Sequence, residues 1–399
     1  MRFLPYALKR EENQMEVKIT DTIRYIGTND YDLDLFESQY IVPNGMAYNS
    51  YLILDEKIAV MAAADKRKTD EWLAVLDKEL GGKEPAYLVL QHLEPDHTGA
   101  VSAFCEKYPA AKLVMGDRAA AMFGQFCTVN NEIVTVKNGE ELSLGAHTLQ
   151  FTAAPMVHWP EVMMCYETSE KVLFSADAFG KFGTIDTDED WACEARRYYF
   201  NIVGKYGAQV QMLLKKLADT PIEIICPLHG PILSENLGYY LDLYNTWSQY
   251  KPESEGTFVA VASIHGNTLA AAEYFAEQLK ALGEPKVAFS EVPREDSAEC
   301  VEDAFRYPKT VFFASSYDAG LFPPMEELML HLRDKTYRNR KVALVQNGSW
   351  APSAGRVMKE YLDKMQGIEY MGELITIKTT LTEENKAQLK ALAELVHGA

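Results

Sequence analysis

The sequence has little cysteine, and its six cysteines are scattered over 399 residues without a single Cys-x-x-Cys pair. This spacing excludes a rubredoxin-type iron centre or a zinc ribbon within the chain and offers no disulfide framework. No apolar run reaches the length of about 18 residues that a transmembrane helix needs. The first residues, MRFLPYALKR, lack a long apolar stretch and a small-residue cleavage site, so no signal peptide is expected. These absences predict a protein of the reducing cytoplasm.

Basic charge is also scarce. The chain has 39 lysines and arginines against 58 aspartates and glutamates, which gives a net charge of −19. Such a balance disfavours nucleic acid and anionic membranes as partners. Hydrophobic residues, in contrast, make up 47% of the chain. At this length they suffice for at least one sizeable core and favour two.

The order of the predicted elements divides the chain into two domains. Up to residue 250, short strands mixed with helices fit two sheets covered by helices. Residues 248–256 are polar, carry Pro and Gly, and look like a linker. Five strand–helix units follow and predict an open parallel sheet. We therefore predict domains at residues 1–250 and 257–399, with residues 1–14 as a possible extension.

Some of the predicted elements bear directly on the candidate sites. The apolar run 86–90 predicts a buried strand that leads into an irregular loop at 91–97, and a helix is expected at about 98–108. One long helical segment is expected at 193–217. Single strands are expected at Val17–Thr20, Tyr48–Leu54, Thr310–Ala314 and Tyr370–Ile377.

A cluster of potential metal ligands follows the strand at 86–90. Four of them fall within six residues, too close together for one helix to aim them all at one point. Three more lie at later strand ends, where sites are generally built. The set is His92, Glu94, Asp96, His97, His158, Asp177 and His229. Seven side chains exceed the needs of one tetrahedral ion but suit two ions that share a carboxylate, most plausibly Asp177.

The second domain carries signs of a nucleotide site. Its first strand ends at Ser263 and leads through His265, Gly266, Asn267 and Thr268 into a helix, which makes a phosphate cradle. The cradle lacks the Lys of a P-loop and a Gly-x-Gly-x-x-Gly run, so a mononucleotide phosphate is favoured.

Two later strand ends add hydroxyl, glycine and aromatic residues that can flank a flat ring. They are Ser315, Ser316, Tyr317, Asp318 and Gly320 after the third strand, and Asn347, Gly348, Ser349 and Trp350 after the fourth. Core packing is the alternative for Tyr317 and Trp350.

These motifs resemble known families. The first ligand run resembles the His-x-His-x-Asp-His motif of the metallo-β-lactamase fold, except that Glu94 replaces the second histidine, and a hard carboxylate suits iron better than zinc. The three loops of the second domain resemble those of flavodoxins, with His265 where a threonine is common. The pairing of the two is similar to flavodiiron proteins (A-type flavoproteins) from about Met15 to the end of the chain.

The resemblance implies a metallo-β-lactamase-like αββα sandwich followed by a flavodoxin-like doubly wound parallel sheet, with FMN and a non-haem di-iron centre as cofactors. His92, Glu94 and His158 would bind one iron, and Asp96, His97 and His229 the other, with Asp177 as the bridge. His97 is the ligand that varies among family members. By the same analogy Tyr198 or Tyr199 would donate protons, with helix packing an equally good explanation of this pair.

The resemblance also implies a reaction and partners. Such a site reduces dioxygen to water or nitric oxide to nitrous oxide, and the same ligands serve both gases. Domains of these sizes have centres about 30 Å apart. A head-to-tail dimer, alone or within a dimer of dimers, would bring each flavin to the partner's irons. A separate rubredoxin-type donor would supply electrons. The rival functions are a zinc hydrolase with an appended flavodoxin domain, and an electron carrier whose first domain is only a scaffold.

Overall fold

The computed structural model describes residues 19–399. Residues 17 and 18 of the strand expected at Val17–Thr20 lie outside these residues, and Ile19 and Thr20 are not part of a strand. The possible extension at 1–14 lies wholly outside the described residues. The first region contains strands β1 Ile23–Tyr25, β2 Thr28–Asp30, β3 Leu35–Phe36, β4 Tyr40–Ile41, β5 Met46–Tyr48, β6 Tyr51–Ile53, β7 Ala59–Met61, β8 Tyr87–Leu90, β9 Lys112–Gly116, β10 Ile133–Val136, β11 Glu141–Ser143, β12 Thr148–Ala153, β13 Met163–Glu167, β14 Val172–Phe174 and β15 Ile224–Cys226. Its helices are α1 Thr69–Leu80, α2 Pro95–Thr98, α3 Val101–Lys107, α4 Asp117–Phe123, α5 Trp191–Tyr198, α6 Gly207–Leu217 and α7 Leu237–Ser248.

Two sheets form the centre of this region. One has the order β1-β6-β7-β8-β9-β10 and the other β11-β12-β13-β14-β15. Alternate residues of β8 serve different faces: Val89 packs between the sheets with Phe151 and Phe174, whereas Leu88 and Leu90 belong to the core on the helical side. The predicted αββα sandwich is thereby confirmed. Six of the seven candidate ligands follow the carboxyl ends of β8, β14 and β15, and His158 lies between β12 and β13.

The second region is a doubly wound sheet. Its strands are β16 Thr257–Ala262, β17 Val287–Glu291, β18 Lys309–Tyr317, β19 Gly320–Leu321, β20 Arg340–Asn347, β21 Ile368–Tyr370 and β22 Ile375–Ile377. Its helices are α8 Asn267–Leu282, α9 Ser297–Arg306, α10 Pro323–Asp334, α11 Ala354–Leu362 and α12 Glu383–His397.

The order β17-β16-β18-β20, continued by β21 and β22, is the flavodoxin-like arrangement in which the second strand lies at one edge. Helices α8 and α12 cover one face of the sheet, and α9, α10 and α11 cover the other. The predicted flavodoxin-like fold is confirmed.

Several predicted elements are interrupted. The strand expected at Tyr48–Leu54 divides into β5 and β6 because Asn49 turns away to donate hydrogen bonds to the backbone oxygens of Pro227 and Gly230. The strand expected at Tyr370–Ile377 divides into β21 and β22 around Gly372, whose φ is 73°.

The helical segment expected at 193–217 is also broken. A π-helical turn at Tyr199–Val203 and a 3-10 turn at Gly204–Tyr206 separate α5 from α6. Gly207 allows the close approach of Ser248 O, which would lie 2.4 Å from a β-carbon at this position. The helix α7 was not predicted.

The π-helical turn also joins the two regions. The rings of Phe200 and Phe305 stack with centroids 4.3 Å apart, and Asn201 donates a hydrogen bond to the backbone oxygen of Ala298. Beside them, the buried Arg196 pairs with Glu302 of α9 at 3.1 Å. The segment that follows the metal-bearing sheets is therefore packed directly against the flavodoxin-like sheet's helices.

Candidate functional site

The seven predicted ligands converge at one edge of the sandwich in two adjacent groups. His92, Glu94, His158 and Asp177 form the first group, and Asp96, His97 and His229 form the second. Within each group the candidate ligand atoms all lie within 4.8 Å of one another.

The loop expected at 91–97 is only partly irregular. His92 and Glu94 precede any helix and follow β8, but Asp96 and His97 belong to the short helix α2, which Pro95 begins. The change from loop to helix sends the first pair to one group and the second pair to the other.

Asp177 faces both groups. Its Oδ2 lies 3.3 Å from His92 Nε2 and 3.1 Å from His158 Nε2. Its Oδ1 lies 3.1 Å from His97 Nε2 and 3.7 Å from His229 Nε2. One buried carboxylate thus presents one oxygen to each group, which is the arrangement of a bridging ligand.

The polar atoms of the site fit a pair of metal ions. Both carboxylate oxygens of Asp96, both ring nitrogens of His97 and Oδ1 of Asp177 are buried without a hydrogen-bond partner. Buried polar atoms are normally satisfied, and leaving several unsatisfied in one place is expensive. Imidazole nitrogens and carboxylate oxygens are ligands that iron and zinc both accept, and the three carboxylates favour iron.

Electrostatics within the cluster shift its pKa values. Burial raises the pKa of Asp177, but the charge of His92 and hydrogen bonds from His158 and His97 outweigh burial and hold this pKa well below its usual range. Burial lowers the pKa of His158, but hydrogen bonds to Asp177 and Glu94 raise it to about 9. Metal binding therefore has to displace protons from the imidazoles.

Two of the candidate ligand imidazoles also make a hydrogen bond through the nitrogen that faces away from the site. His92 Nδ1 lies 2.7 Å from Glu161 Oε1, and His229 Nδ1 donates to the backbone oxygen of Ala47 at 2.8 Å. Both contacts leave Nε2 facing the site. Sequence analysis missed Glu161, although its position three residues after His158 was a usable signal.

Aromatic side chains line the candidate metal site. The ring centroids of Phe36 and Tyr198 lie 5.4 and 5.7 Å from that of His229, and Trp159 packs edge-on against His92 at 5.1 Å. Glu94 is the most exposed of the seven ligands, with 16% of its side chain accessible. The site therefore opens on the Glu94 side.

The structure separates the two candidate tyrosines. Tyr198, the last residue of α5, packs against His229, and burial together with the charge of Asp177 raises its pKa well above the usual value. Tyr199 begins the π-helical turn and packs against Tyr244 and Trp247. Only Tyr198 is brought to the candidate ligands.

An open cavity lies at the carboxyl edge of the second sheet. All but two of the residues predicted to bind the nucleotide line this cavity. The lining residues are Ser263, His265, Asn267, Thr268, Ser315, Ser316, Tyr317, Asp318, Asn347, Gly348, Ser349 and Trp350. Helix α8 begins at this cavity, so its free backbone N–H groups and positive dipole end suit a phosphate.

The two exceptions, Gly266 and Gly320, shape turns at the cavity instead. Gly266 has a φ of 88°, a conformation that favours glycine, and its N–H donates to Ser263 Oγ at 3.0 Å. Gly320 begins β19.

The structure corrects the second cofactor loop. Ser315, Ser316 and Tyr317 do not follow the third strand but belong to β18, which forms a hairpin with β19. Pairing to β19 extends the strand beyond the expected end at Ala314. Tyr317 and Trp350 are 46% and 87% exposed, so neither is packed in the core.

Sequence analysis also missed Thr379 in the cavity wall. Asn347 accepts from Thr379 N and donates to Thr379 O, both at 2.9 Å, and Ser349 Oγ lies 2.8 Å from the Thr379 hydroxyl. These bonds hold Thr379 at a φ of 70°, which a β-branched residue rarely adopts. The sequence offered one signal for a fourth cavity loop, the polar Thr379-Thr380 pair that follows the last strand.

Within residues 19–399 no helix is both long enough and apolar enough to cross a membrane. The histidines His147, His331 and His397 lie outside both ligand groups.

Comparison with known proteins agrees with both halves of the chain. Residues 46–230 match the model of the ODP family beta lactamase. The anaerobic nitric oxide reductase flavorubredoxin of Vibrio vulnificus is 27% identical over 350 residues, which cover 84% of this chain and 70% of that protein.

Two solved structures match almost end to end. The rubredoxin oxygen:oxidoreductase of Desulfovibrio gigas is 25% identical with a TM-score of 0.89, over 96% of this chain and 98% of that one. The flavodiiron protein of Giardia intestinalis, at 20% identity, shares the fold with a TM-score of 0.90 over 98% and 97% of the two chains. The chain joins a β-lactamase-like sandwich that gathers seven ligands to a flavodoxin-like sheet, and the Vibrio and Desulfovibrio proteins match 84% and 96% of its length. This chain is therefore an oxidoreductase of the flavodiiron protein family.

Proposed function

We propose that the protein reduces dioxygen to water, nitric oxide to nitrous oxide, or both, at a non-haem di-iron centre. The observation that carries this proposal is Asp177, whose two oxygens face two separate ligand groups at 3.1–3.7 Å. Glu94 in the first group adds a hard carboxylate that favours iron over zinc.

The ligands divide between the two irons. His92, Glu94 and His158 would hold one iron, Asp96, His97 and His229 the other, and Asp177 would bridge them. The three carboxylates offset three of the four positive charges of two ferrous ions. The Glu94 side of the site admits the gas, while Phe36, Trp159 and Tyr198 keep bulk water from the opposite walls.

FMN would occupy the cavity of the second sheet, with its phosphate at the start of α8 and its ring between Tyr317 and Trp350. Bound FMN can store two electrons, and the pair of irons can store another two. Together these are the four electrons that the reduction of dioxygen requires. We propose domains at residues 1–250 and 257–399, a rubredoxin-type external donor, a head-to-tail homodimer or dimer of dimers, and a cytoplasmic location. The six unpaired cysteines support the last point.

Metal analysis and gas consumption test the proposal together. We expect about two irons and one FMN per chain, and anaerobically reduced protein should consume dioxygen or nitric oxide, since both gases suit this ligand set. Running both gases with the same reduced donor measures the preference. Two zinc ions and no iron would favour the zinc hydrolase, and iron without consumption of either gas would favour an electron carrier.

Tyr198 is proposed to donate a proton to the reduced gas. Its ring packs on His229, and its raised pKa keeps the hydroxyl protonated. We expect Tyr198→Phe to lower turnover by about 100-fold or more, the usual contribution of a general acid, with iron and FMN retained. Tyr199→Phe removes a buried hydroxyl one residue away and serves as the matched control. Equal turnover of the two variants would contradict the role.

A further inference from the structure

Glu161 is a buried carboxylate beside the candidate metal centre but is not one of the seven ligands. Its side chain is fully inaccessible. One oxygen, Oε1, lies 2.7 Å from His92 Nδ1 and accepts a second hydrogen bond from Leu93 N at 3.1 Å. A single atom thus holds both the ring of His92 and the backbone that follows it.

This contact decides which nitrogen of His92 faces the metal position. An imidazole whose Nδ1–H donates to a carboxylate presents the lone pair of Nε2 on its other side. His92 Nε2 is directed at the first group, 3.2 Å from Glu94 Oε2 and 3.3 Å from Asp177 Oδ2. Glu161 therefore fixes both the tautomer and the direction of this ligand.

The second group has no equivalent partner at His229. There Nδ1 donates to the backbone oxygen of Ala47, which is an uncharged acceptor. A carboxylate partner makes an imidazole a stronger electron donor than a neutral carbonyl does. The ring of His92 is thus the better donor of the two.

The ligands themselves do not distinguish the two groups. Each group has one carboxylate of its own, Glu94 or Asp96, two histidines and one oxygen of Asp177. The charged partner behind His92 is therefore what makes the surroundings of the first group more negative.

We propose that Glu161 is a positioning residue that makes the two metal positions unequal. Through His92 it strengthens metal binding at the first position and stabilises the oxidised ion there, so that the second position is the first to be reduced. This inference rests on the proposed di-iron function, because it assigns different properties to the two positions of that site.

Variants of Glu161 test the proposal without relying on turnover. Glu161→Ala removes the charge and both hydrogen bonds, whereas Glu161→Gln retains an acceptor oxygen and removes only the charge. Metal-free protein titrated with Co²⁺ should bind two ions in unequal steps. In Glu161→Ala we expect the tighter step to weaken by about 10–100-fold and the other to stay unchanged. In Glu161→Gln of the iron protein, a reductive titration should show the two iron potentials closer together than in wild type.

Glu167 offers a matched control. It is also a fully buried glutamate of this domain, but it accepts hydrogen bonds from Ser169 N and Glu170 N, away from the ligands. Glu167→Gln should lower the melting temperature and leave both Co²⁺ steps and both potentials as in wild type.

Unchanged Co²⁺ steps in Glu161→Ala, or an unchanged separation of potentials in Glu161→Gln, would overturn the proposal. If Glu161→Ala does not fold, the nearly isosteric Glu161→Gln decides the question alone. A wild-type protein that binds no pair of Co²⁺ ions would overturn the di-iron function itself, a result distinct from a wild-type protein with two steps that Glu161 does not influence.

Discussion

Replacement of Asp177 by asparagine is expected to empty both metal positions and to lower gas turnover about a thousandfold, since bound metals supply several kcal/mol of charge stabilisation. The side chain keeps its size but loses the charge that both groups share through Oδ1 and Oδ2. Two metal ions would then face only the carboxylates of Glu94 and Asp96. Iron content per chain and consumption of dioxygen and nitric oxide measure the result.

Asp55 provides the control for this substitution. Its side chain is 6% accessible and lies 2.8 Å from His147 Nδ1, outside both ligand groups. Asp55→Asn should destabilise the fold by about 1–3 kcal/mol, because it weakens a buried hydrogen-bonded pair, but should retain the metals. An Asp177→Asn protein with full iron content would contradict the bridging role.

The second large effect is expected from mixing two inactive variants. Asp177→Asn retains the FMN cavity but lacks irons. The second variant, Asn267→Asp, is expected to lose FMN. Its carboxylate would face the FMN phosphate at the start of α8, where two like charges about 4 Å apart repel each other by about 4 kcal/mol near a protein surface. An acidic residue favours the first turn of a helix, so this domain should still fold.

If electrons pass from the flavin of one chain to the irons of its partner, the mixed dimer has one complete pair. Co-expressed in equal amounts, the two inactive variants should restore about a quarter of wild-type turnover, because half of the dimers are mixed and each has one working site. Transfer within one chain would restore none. Asn267→Ser, which adds no charge, should keep FMN and serves as the control for the cavity.

The reverse mixture checks the same pathway. A chain carrying both substitutions, paired with a wild-type chain, should form inactive mixed dimers when transfer crosses between chains. Active mixed dimers, or a monomer with full turnover, would instead establish transfer within the chain and remove the argument for a head-to-tail dimer.

The sequence was informative where chemistry and strand ends coincide. His92, Asp177 and His229 each follow a strongly apolar strand, so their convergence followed from the rule that strand ends gather at one edge. The start of α8 at Asn267 was predictable for a similar reason, because the Gly-Asn-Thr run gives a local signal for a helix beginning.

What escaped prediction depends on contacts between distant segments. Glu161 meets His92 across 69 residues of chain, and Thr379 meets Asn347 across 32. Their local signals, a glutamate three residues after His158 and a polar Thr379-Thr380 pair after the last strand, do not identify the distant partner. The extension of β18 to Tyr317 likewise depends on its pairing with β19, since the residues themselves suit a polar loop.

The π-helical turn after Tyr198 has a thermodynamic consequence for the whole chain. Phe200 and Asn201 within this turn contact the helix α9 of the other region, while Tyr198 just before it packs on His229. Any opening of the boundary between the two regions would expose Phe200 to water and separate Arg196 from Glu302, leaving it paired with Glu253 alone. Exposing buried aromatic surface to water is unfavourable. We therefore expect melting of the flavodoxin-like sheet and loss of the metal-bearing fold to be coupled, with one cooperative transition rather than two.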